Sequence, residues 1–432
     1  MNSKEQYPLF TVIIPQKNRA EYLIHTLKTC MIQDYPNFEV IVGDDCSDDN
    51  SVEIVKECMK KDSRIKLIAH DHHVGMRDNF EIALAAVRPG YVMALGGDDG
   101  LVPGCIWRMY EILQQTGKQL LTWTSAIYAY SETEGGLSRF IVRRFKDNDV
   151  KIVKSSDYLN KIAKTLNYHV DDCPMFYIKG VASTELVDRV KKRTPDGCFY
   201  YCPTPDGFSG VVLAGEVEDY AYTNEPLSIG GNTIKSQGAN YKRTDENSKR
   251  EAQQFFEDSS RRTMHHELAS QPYSPLVVLM TADYLLTARD LPGWPGKFNM
   301  FKFEDLIKAC FKMLEKNPFE NEVLVRELLI IKKIAEQHGL LNLYQDLLKN
   351  TKRRLVRTTA FSGFVVTKKS FMFEGSSVGI NNIYDAALAV PFAHKACNRF
   401  VSFKEILAVL KRMCKTVRNS RNYKIEHLPF VE

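Results

Sequence analysis

Residues 91–100 read YVMALGGDDG, in which an apolar run ends at two glycines and the adjacent acids Asp98 and Asp99. A short apolar run bounded by glycines predicts a buried β-strand. If the strand belongs to a parallel sheet, the two carboxylates follow its carboxyl end, the edge at which open α/β sheets bind ligands. Two hard, negatively charged oxygen ligands suit a divalent cation, and a cation at that edge suits a diphosphate.

The sequence around this stretch alternates between strand-like and helix-like segments. Other apolar runs typical of strands occur at residues 10–14, 38–42, 64–69 and 120–124, and helical periodicity occurs at residues 20–32, 51–60, 76–87 and 103–113. Strands that alternate with helices of this length predict a parallel sheet with right-handed crossovers. We therefore predict an α/β fold with a mostly parallel, Rossmann-like sheet flanked by helices.

The chain has 432 residues, which is more than one typical core holds. The alternation stops near residue 125, and the polar stretch 125–154 is predicted to be a connection and a flap. Helical periodicity dominates after residue 245. We predict an α/β domain over residues 1–245, with halves at 1–125 and 126–245, and a mainly helical C-terminal region over residues 246–432.

The composition limits the class of protein. Hydrophobic residues make up 44% and charged residues 26% of the chain, which is typical of globular proteins and excludes a disordered one. The formal charge of +5 is too weak to indicate a nucleic-acid partner. The sequence lacks an apolar window of about 20 residues, a signal-peptide stretch and a dense cysteine framework, so we expect a cytoplasmic protein.

Polar residues follow each of the first four predicted strands, at residues 15–19, 43–49, 70–79 and 98–99. All four groups converge on one crevice if the strands are parallel. Taken alone, the acids of residues 44–49 are typical of a solvated turn with a helix cap. Together with the acids at 98–99 they favour a nucleotide site, in which an acid accepts a hydrogen bond from a base or ribose. No GxGxxG follows the first strand, which disfavours a dinucleotide-dependent dehydrogenase.

Taken in order, these segments resemble the family 2 glycosyltransferases of the GT-A fold over about the first 125 residues. The segments that carry the resemblance are Val12-Ile13-Ile14-Pro15, Val40-Ile41-Val42-Gly43-Asp44-Asp45-Cys46-Ser47-Asp48, His73-Val74-Gly75 ahead of Asn79, and Gly97-Asp98-Asp99. Cys46 stands where the family often has glycine. The resemblance implies an inverting transferase that uses a nucleotide-diphospho-sugar and a divalent metal, Mn2+ or Mg2+.

The resemblance also implies roles for individual residues. The nucleotide-sugar is expected to contact Pro15, Asn18, Arg19, Asp44, Asp45, Asn79 and Asp98, with Asp44 or Asp45 at the base. The metal is expected at Asp98 and Asp99. Residues 230–236, GGNTIKS, are predicted to form a mobile loop over the diphosphate.

Inversion at the sugar requires a base that deprotonates the acceptor hydroxyl from the opposite side. Asp206, in the segment Cys202-Pro203-Thr204-Pro205-Asp206-Gly207, is our predicted catalytic base. A turn residue between proline and glycine is the alternative reading. The rival acids are Asp171, Asp172, Glu216 and Glu218.

The tail over residues 401–424 combines an apolar helical face with many lysines and arginines. Such a segment binds an anionic membrane surface or packs on the protein's own core with a solvated basic face. Because lipid-linked acceptors are common in the family, we predict peripheral contact with the inner face of the membrane.

The function predicted from the sequence is a metal-dependent inverting hexosyl- or N-acetylhexosaminyltransferase. It would move a sugar from a UDP-sugar to a hydroxyl of a glycan or lipid-linked acceptor, in surface polysaccharide synthesis and without a nucleic-acid partner. A sugar nucleotidylyltransferase is one alternative, although the loop after the first strand lacks the glycines it requires. A non-catalytic nucleotide-sugar-binding scaffold is the other, and the intact acids count against it.

Overall fold

The computed structural model describes residues 7–397, except 134–135, 144, 146–148, 237–245, 261, 317–318, 320, 352–362 and 368–369, together with residues 411 and 415. The predicted tail segment 401–424 therefore lies outside the described residues, apart from Lys411 and Lys415.

The described part of the chain alternates strands and helices from its N-terminus. The strands are β1 (Phe10–Gln16), β2 (Phe38–Asp44), β3 (Ile65–Ala69), β4 (Tyr91–Ala94), β5 (Gly100–Leu101), β6 (Leu120–Trp123), β7 (Ala126–Ala129), β8 (Arg139–Arg143), β9 (Lys151–Lys154), β10 (Gly180–Ser183), β11 (Asp219–Thr223), β12 (Ser228–Asn232), β13 (Phe364–Val366) and β14 (Ser370–Glu374). The helices are α1 (Ala20–Met31), α2 (Ser51–Lys61), α3 (Met76–Ala85), α4 (Cys105–Thr116), α5 (Ser155–Thr165), α6 (Thr184–Lys191), α7 (Asp206–Gly215), α8 (Glu246–Ser259), α9 (Val277–Asp290), α10 (Phe303–Lys316), α11 (Asn321–Gln337), α12 (Leu341–Asn350) and α13 (Ile383–Cys397).

The larger sheet has eight strands in the order β3-β2-β1-β4-β10-β6-β11-β9. Strand β1 is the third strand from one edge and pairs in parallel with β2 and β4, while β3 pairs in parallel with β2. These four strands end at the same edge, so the predicted α/β fold is confirmed. Strand β10 is antiparallel to both β4 and β6, which the alternation of strands and helices does not predict.

A smaller sheet of six strands has the order β13-β14-β8-β7-β12-β5. Residues 125–154, which were predicted to form a connection and a flap, contain strands β7 and β8 of this sheet and β9 of the larger sheet. The prediction was wrong because all three strands are short, and because β7 and β8 keep their apolar core faces among polar residues. In β8, for example, Phe140 and Val142 are buried while Arg143 is exposed.

Both faces of the larger sheet are buried. Ile13 packs into one apolar cluster, whereas Val12 and Ile14 on either side of it pack into another, as the twofold periodicity of a strand requires. The first cluster includes residues of the helices from α8 to α12, and the second includes residues of α1, α4 and α13. None of the helices in the described part of the chain combines the length and apolar character needed for a transmembrane span.

Candidate active site

Asp98 and Asp99 lie at the carboxyl edge of the larger sheet, in the turn between β4 and β5. Both are almost fully buried, with exposed fractions of 4% and 1%. Asp99 accepts two backbone hydrogen bonds, from Gly96 N to Oδ2 at 2.7 Å and from Gly231 N to Oδ1 at 2.9 Å. The turn therefore holds a buried carboxylate in one orientation.

Strand β12 fits closely against this turn. A Cβ atom on Gly231 would overlap the backbone carbonyl oxygen of Asp98, so only glycine allows the two backbones to approach this closely. In the same strand, Ile229 pairs with Gly100 of β5. The prediction that residues 230–236 form a mobile loop is corrected for residues 230–232, which belong to β12; Gly231 is a site residue that the sequence analysis assigned to that loop.

Arg19 and the segment after β12 surround the Asp98 side chain. The Oδ2 atom of Asp98 accepts hydrogen bonds from Arg19 Nη1 at 3.1 Å and from Thr233 Oγ1 at 3.0 Å. Arg19 Nη2 also donates to the carbonyl oxygen of Lys235 at 2.6 Å. Lys235 Nζ in turn donates to the carbonyl oxygen of Asn18 at 2.7 Å. The loop after β1 and the segment after β12 thus meet at the carboxylate pair.

The electrostatics of this cluster favour a cation. Burial and the charge of Asp98 raise the pKa of Asp99. Burial alone would lower the pKa of Arg19, but the charges around it, Asp98 first among them, together more than offset burial, so the pKa is raised. Two adjacent buried carboxylates face one guanidinium, and they are hard oxygen ligands. The oxygen ligands of Asp98 and Asp99 therefore fit a divalent cation.

Asp44 and Asp45 lie at the end of β2 and are also buried. Asp44 accepts from the backbone N–H of Ser47 at 2.9 Å and from the side-chain amide of Gln16. Asp45 accepts from the backbone N–H groups of Val74 at 2.7 Å and Gly75 at 3.2 Å. Both carboxylates therefore hold the loops at the nucleotide end of the predicted crevice.

His73 links Asp45 to helix α8. Its Nδ1 atom lies 2.8 Å from Asp45 Oδ2, and its Nε2 atom lies 3.0 Å from Asp258 Oδ2. Asp258 was not among the predicted site residues, and His73 entered only as part of a motif, because the two lie 185 residues apart in the sequence. Helix α8 consequently lies beside the predicted nucleotide site.

Three other predicted nucleotide-sugar residues lie at the same edge of the sheet. Pro15 pairs with Gly43 across β1 and β2. Asn79 donates to the carbonyl oxygens of Gly43 at 3.0 Å and Gln16 at 3.4 Å, so it joins the ends of the two strands. Asn18 adopts a positive φ of 54°, and its Oδ1 atom accepts from Asp48 N at 2.7 Å.

Asp206 is the first residue of the largely buried helix α7, which corrects the alternative reading of a simple turn residue. Tyr168 Oη donates to Asp206 Oδ2 at 2.9 Å. The other oxygen, Oδ1, is buried and has no hydrogen-bond partner among the described residues. A Cβ atom on Gly207 would overlap the ring of Tyr284 and touch that of Tyr168, so the start of α7 packs tightly against both rings.

Three of the rival acids are engaged in ion pairs. Glu216 pairs with Arg193, Asp171 with Arg143, and Asp172 with Lys161. Asp206 differs from these, because its buried Oδ1 atom has no hydrogen-bond partner in the part of the chain that the structure describes.

A second group of potential metal ligands lies away from the sheet edge, at His265, His266, Glu267 and Asp290. The backbone N–H of Glu267 donates to His265 Nδ1 at 3.2 Å, so the proton of the neutral ring is on Nε2, which lies 2.8 Å from Asp290 Oδ2. Arg289 already pairs with both Glu267 and Asp290. These contacts favour a network of hydrogen bonds and ion pairs over a cation site.

Residues 11–179 match the family model described as Glycosyl transferase family 2. The chain is 30% identical over 155 residues to an uncharacterized glycosyltransferase of Haemophilus influenzae, covering 35% of this chain and 56% of that protein. It is 32% identical over 157 residues to the GalNAc(5)-diNAcBac-PP-undecaprenol beta-1,3-glucosyltransferase of Campylobacter jejuni, covering 36% of this chain and 49% of that protein. The chain thus spans about half the length of these curated relatives. The crystal structure of S. aureus TarS 1-349 in complex with UDP-GlcNAc is similar with a TM-score of 0.44 and 13% identity, covering 83% of this chain and 95% of that one.

Proposed function

We propose that this chain transfers a sugar from a nucleotide-diphospho-sugar to an acceptor hydroxyl with inversion. The premise is the match of residues 11–179 to the glycosyl transferase family 2 model. The observation that carries the proposal is the meeting of Asp98, Asp99 and Arg19 at the carboxyl edge of the sheet. Ligands of open α/β sheets bind at this edge.

In this proposal Arg19 binds the diphosphate of the donor. Its guanidinium already points two N–H groups at oxygen acceptors, Asp98 Oδ2 and the Lys235 carbonyl. A planar guanidinium fork matches phosphate oxygens better than a lysine ammonium does. Asp44 or Asp45, at the end of β2, would contact the base of the nucleotide, which we propose to be UDP.

Asp98 and Asp99 would hold a divalent cation, Mn2+ or Mg2+. When bound, the cation supplies positive charge that stabilises the departing nucleoside diphosphate. The two carboxylates orient the donor, and their burial excludes water from the charges around the diphosphate.

Asp206 is the proposed catalytic base. Tyr168 donates to one carboxylate oxygen, and the other, the buried Oδ1, has no partner among the residues that the structure describes and would accept the proton. In the proposed step the acceptor oxygen bonds to the anomeric carbon, the bond from that carbon to the diphosphate oxygen breaks, and the hydroxyl proton goes to Asp206. A positioned base of this kind contributes about 10²–10⁴-fold to the rate.

We propose a glycan or lipid-linked acceptor in polysaccharide synthesis, in line with the undecaprenol-linked saccharide in the name of the Campylobacter relative. Residues 1–125 would bind the nucleotide and diphosphate of the donor, and the acceptor would bind to residues 126–245. The basic segment 401–424 would bring the protein to the cytoplasmic face of a membrane that carries such an acceptor.

A panel of UDP- and GDP-sugars with Mn2+, offered with and without undecaprenyl-diphosphate-linked saccharides, tests the proposal. We expect Mn2+-dependent release of a nucleoside diphosphate, and its loss in Asp99→Asn. Asp71→Asn is the matched control, because the Asp71 side chain is 93% exposed. Full turnover in Asp99→Asn and in the presence of a chelator would contradict the metal-dependent mechanism.

Two other outcomes would favour the alternatives. Formation of a nucleotide-sugar from a nucleoside triphosphate and a sugar phosphate would identify a nucleotidylyltransferase. Tight nucleotide-sugar binding without turnover on any acceptor of the panel would favour a scaffold.

A further inference from the structure

We propose that Tyr177 binds the sugar of the donor and holds it between the carboxylate pair and the catalytic base. This inference rests on the proposed function and adds a residue that neither the sequence analysis nor the comparisons assign. It is carried by the topology of β10, by the backbone of Ile178 and by the groups that face the Tyr177 hydroxyl.

The topology brings Tyr177 to the donor edge of the sheet. Strand β10 is antiparallel to β4, with Ala182 opposite Val92 and Ser183 opposite Tyr91. The residues just before an antiparallel strand lie at the carboxyl edge of its parallel neighbours. Tyr177 shortly precedes β10 and therefore lies beside the turn that carries the two acids.

The Tyr177 hydroxyl lies directly beside this turn. A Cβ atom on Gly96 would be 2.6 Å from Tyr177 Oη, 2.8 Å from Asp99 Oδ2 and 3.0 Å from Asp98 Oδ1. Three oxygen atoms thus converge next to a residue that has no side chain to separate them. The carboxylates of Asp99, Asp98 and Asp206 all interact electrostatically with the Tyr177 side chain. The hydroxyl therefore lies where it can donate to a sugar bound near both groups of carboxylates.

A strained backbone conformation at Ile178 holds the neighbouring Tyr177 in place. Ile178 has a φ of +65°, a conformation in which a β-branched residue is an outlier. Such strain is retained where the surrounding structure holds it, and it concentrates at functional sites. Here Ile178 N donates to the carbonyl oxygen of Ala94 at 2.8 Å, and Lys179 N donates to that of Tyr177 at 2.8 Å. Ala94 ends β4, so the strained turn attaches Tyr177 to the turn of Asp98 and Asp99.

The order of strands indicates which part of the donor Tyr177 meets. Along the edge the strands run β2, β1, β4 and β10, so the loops carrying Asp44, Arg19, Asp98 and Tyr177 follow one another. Three strand spacings, about 14 Å, separate β2 from β10. If the base lies at β2 and the diphosphate at β1 and β4, the sugar lies beside Tyr177. A phenol suits a sugar, because its ring packs on C–H groups while its O–H donates to a hydroxyl oxygen.

Isothermal titration with Mn2+ tests the inference. The first probe is the nucleotide-sugar that binds the wild type best among UDP-glucose, UDP-galactose, UDP-GlcNAc and GDP-mannose. The second is the matching free nucleoside diphosphate, which is UDP for the first three and GDP for GDP-mannose. We expect Tyr177→Phe to weaken the nucleotide-sugar about 3- to 10-fold, as for one hydrogen bond. The free nucleoside diphosphate should bind as in the wild type, within about twofold.

Tyr220→Phe is the matched control, since its buried hydroxyl donates to the carbonyl oxygen of Asp172 at 2.7 Å instead. It should change neither affinity. Equal weakening of both ligands by Tyr177→Phe, or no weakening of either, would overturn the inference while leaving the proposed function standing. If the wild type binds none of the nucleotides, the proposed function fails and this inference fails with it.

Discussion

Replacing Asp206 by asparagine separates a catalytic role from a structural one. As the proposed base, Asp206 accounts for about 10²–10⁴-fold of the rate, so kcat should fall by that factor. A structural residue at the start of α7 would instead contribute to stability through the helix dipole, about 0.3–1 kcal/mol.

The contacts of Asp206 also predict how stability changes. Asparagine weakens the hydrogen bond from Tyr168, because bonds to charged acceptors contribute about 1 kcal/mol more than bonds between neutral groups. It also removes the negative charge from Oδ1, a buried oxygen with no partner within the described ranges. In the wild type, burying that oxygen without a hydrogen bond costs about 1–3 kcal/mol. These effects oppose each other, and we expect the free energy of unfolding to change by no more than about 1 kcal/mol.

Urea denaturation and steady-state transfer assays on the same preparations measure both quantities. Asp157→Asn is the matched control, since Asp157 lies in the first turn of α5 and is exposed. It should lose only the dipole contribution and keep full activity. If Asp206→Asn keeps kcat within tenfold and is clearly less stable, Asp206 is structural and the reasoning is refuted.

Three further predictions concern stability and positioning. Gly231→Ala should destabilise the fold by about 1–3 kcal/mol through overlap with the Asp98 carbonyl, and it should abolish transfer. The control Gly230→Ala, whose added Cβ would have its nearest neighbour at 3.6 Å, should leave the melting temperature unchanged. Equal melting temperatures for the two variants would contradict the overlap. Burial raises the pKa of Glu39, but its partners Arg88 and Lys66 more than offset this, so the pKa is lowered. The Glu39 carboxylate therefore stabilises the fold above its unfolded pKa of about 4.3, and this stabilisation is lost as the pH falls. In denaturation measured from pH 6 to pH 3, Glu39→Gln should lose less stability than the wild type. Tyr168→Phe should lower kcat about 3- to 10-fold with little change in donor KM, because it releases the base without touching the donor; a change confined to KM would assign it to donor binding.

The first four strands were predicted to within two residues at each end, because buried parallel strands are continuous apolar runs. Strand β10 escaped prediction, since Gly180–Ser183 is short and composed of small residues. The short strands β7 and β8 were missed because their alternation is brief and lies among polar residues.

The predicted acids at the ends of β2 and β4 do lie at one edge of the sheet, since parallel strands end on the same side. The contacts that orient these acids were not predictable from local sequence. Gly231 donates to Asp99 from 132 residues away, and His73 meets Asp258 across 185 residues. Such pairings depend on which strands and helices become neighbours.

By itself, the sequence determined the parallel α/β core and the edge at which the acids gather, because apolar periodicity and strand direction are local properties. Only the tertiary structure decided what faces those acids. The antiparallel insertion of β10 brings Tyr177 beside Asp98 and Asp99. The start of α7 packs against two tyrosine rings, and one oxygen of Asp206 has no partner there among the described residues. Both results depend on strand order and close packing between distant segments, which no local pattern encodes.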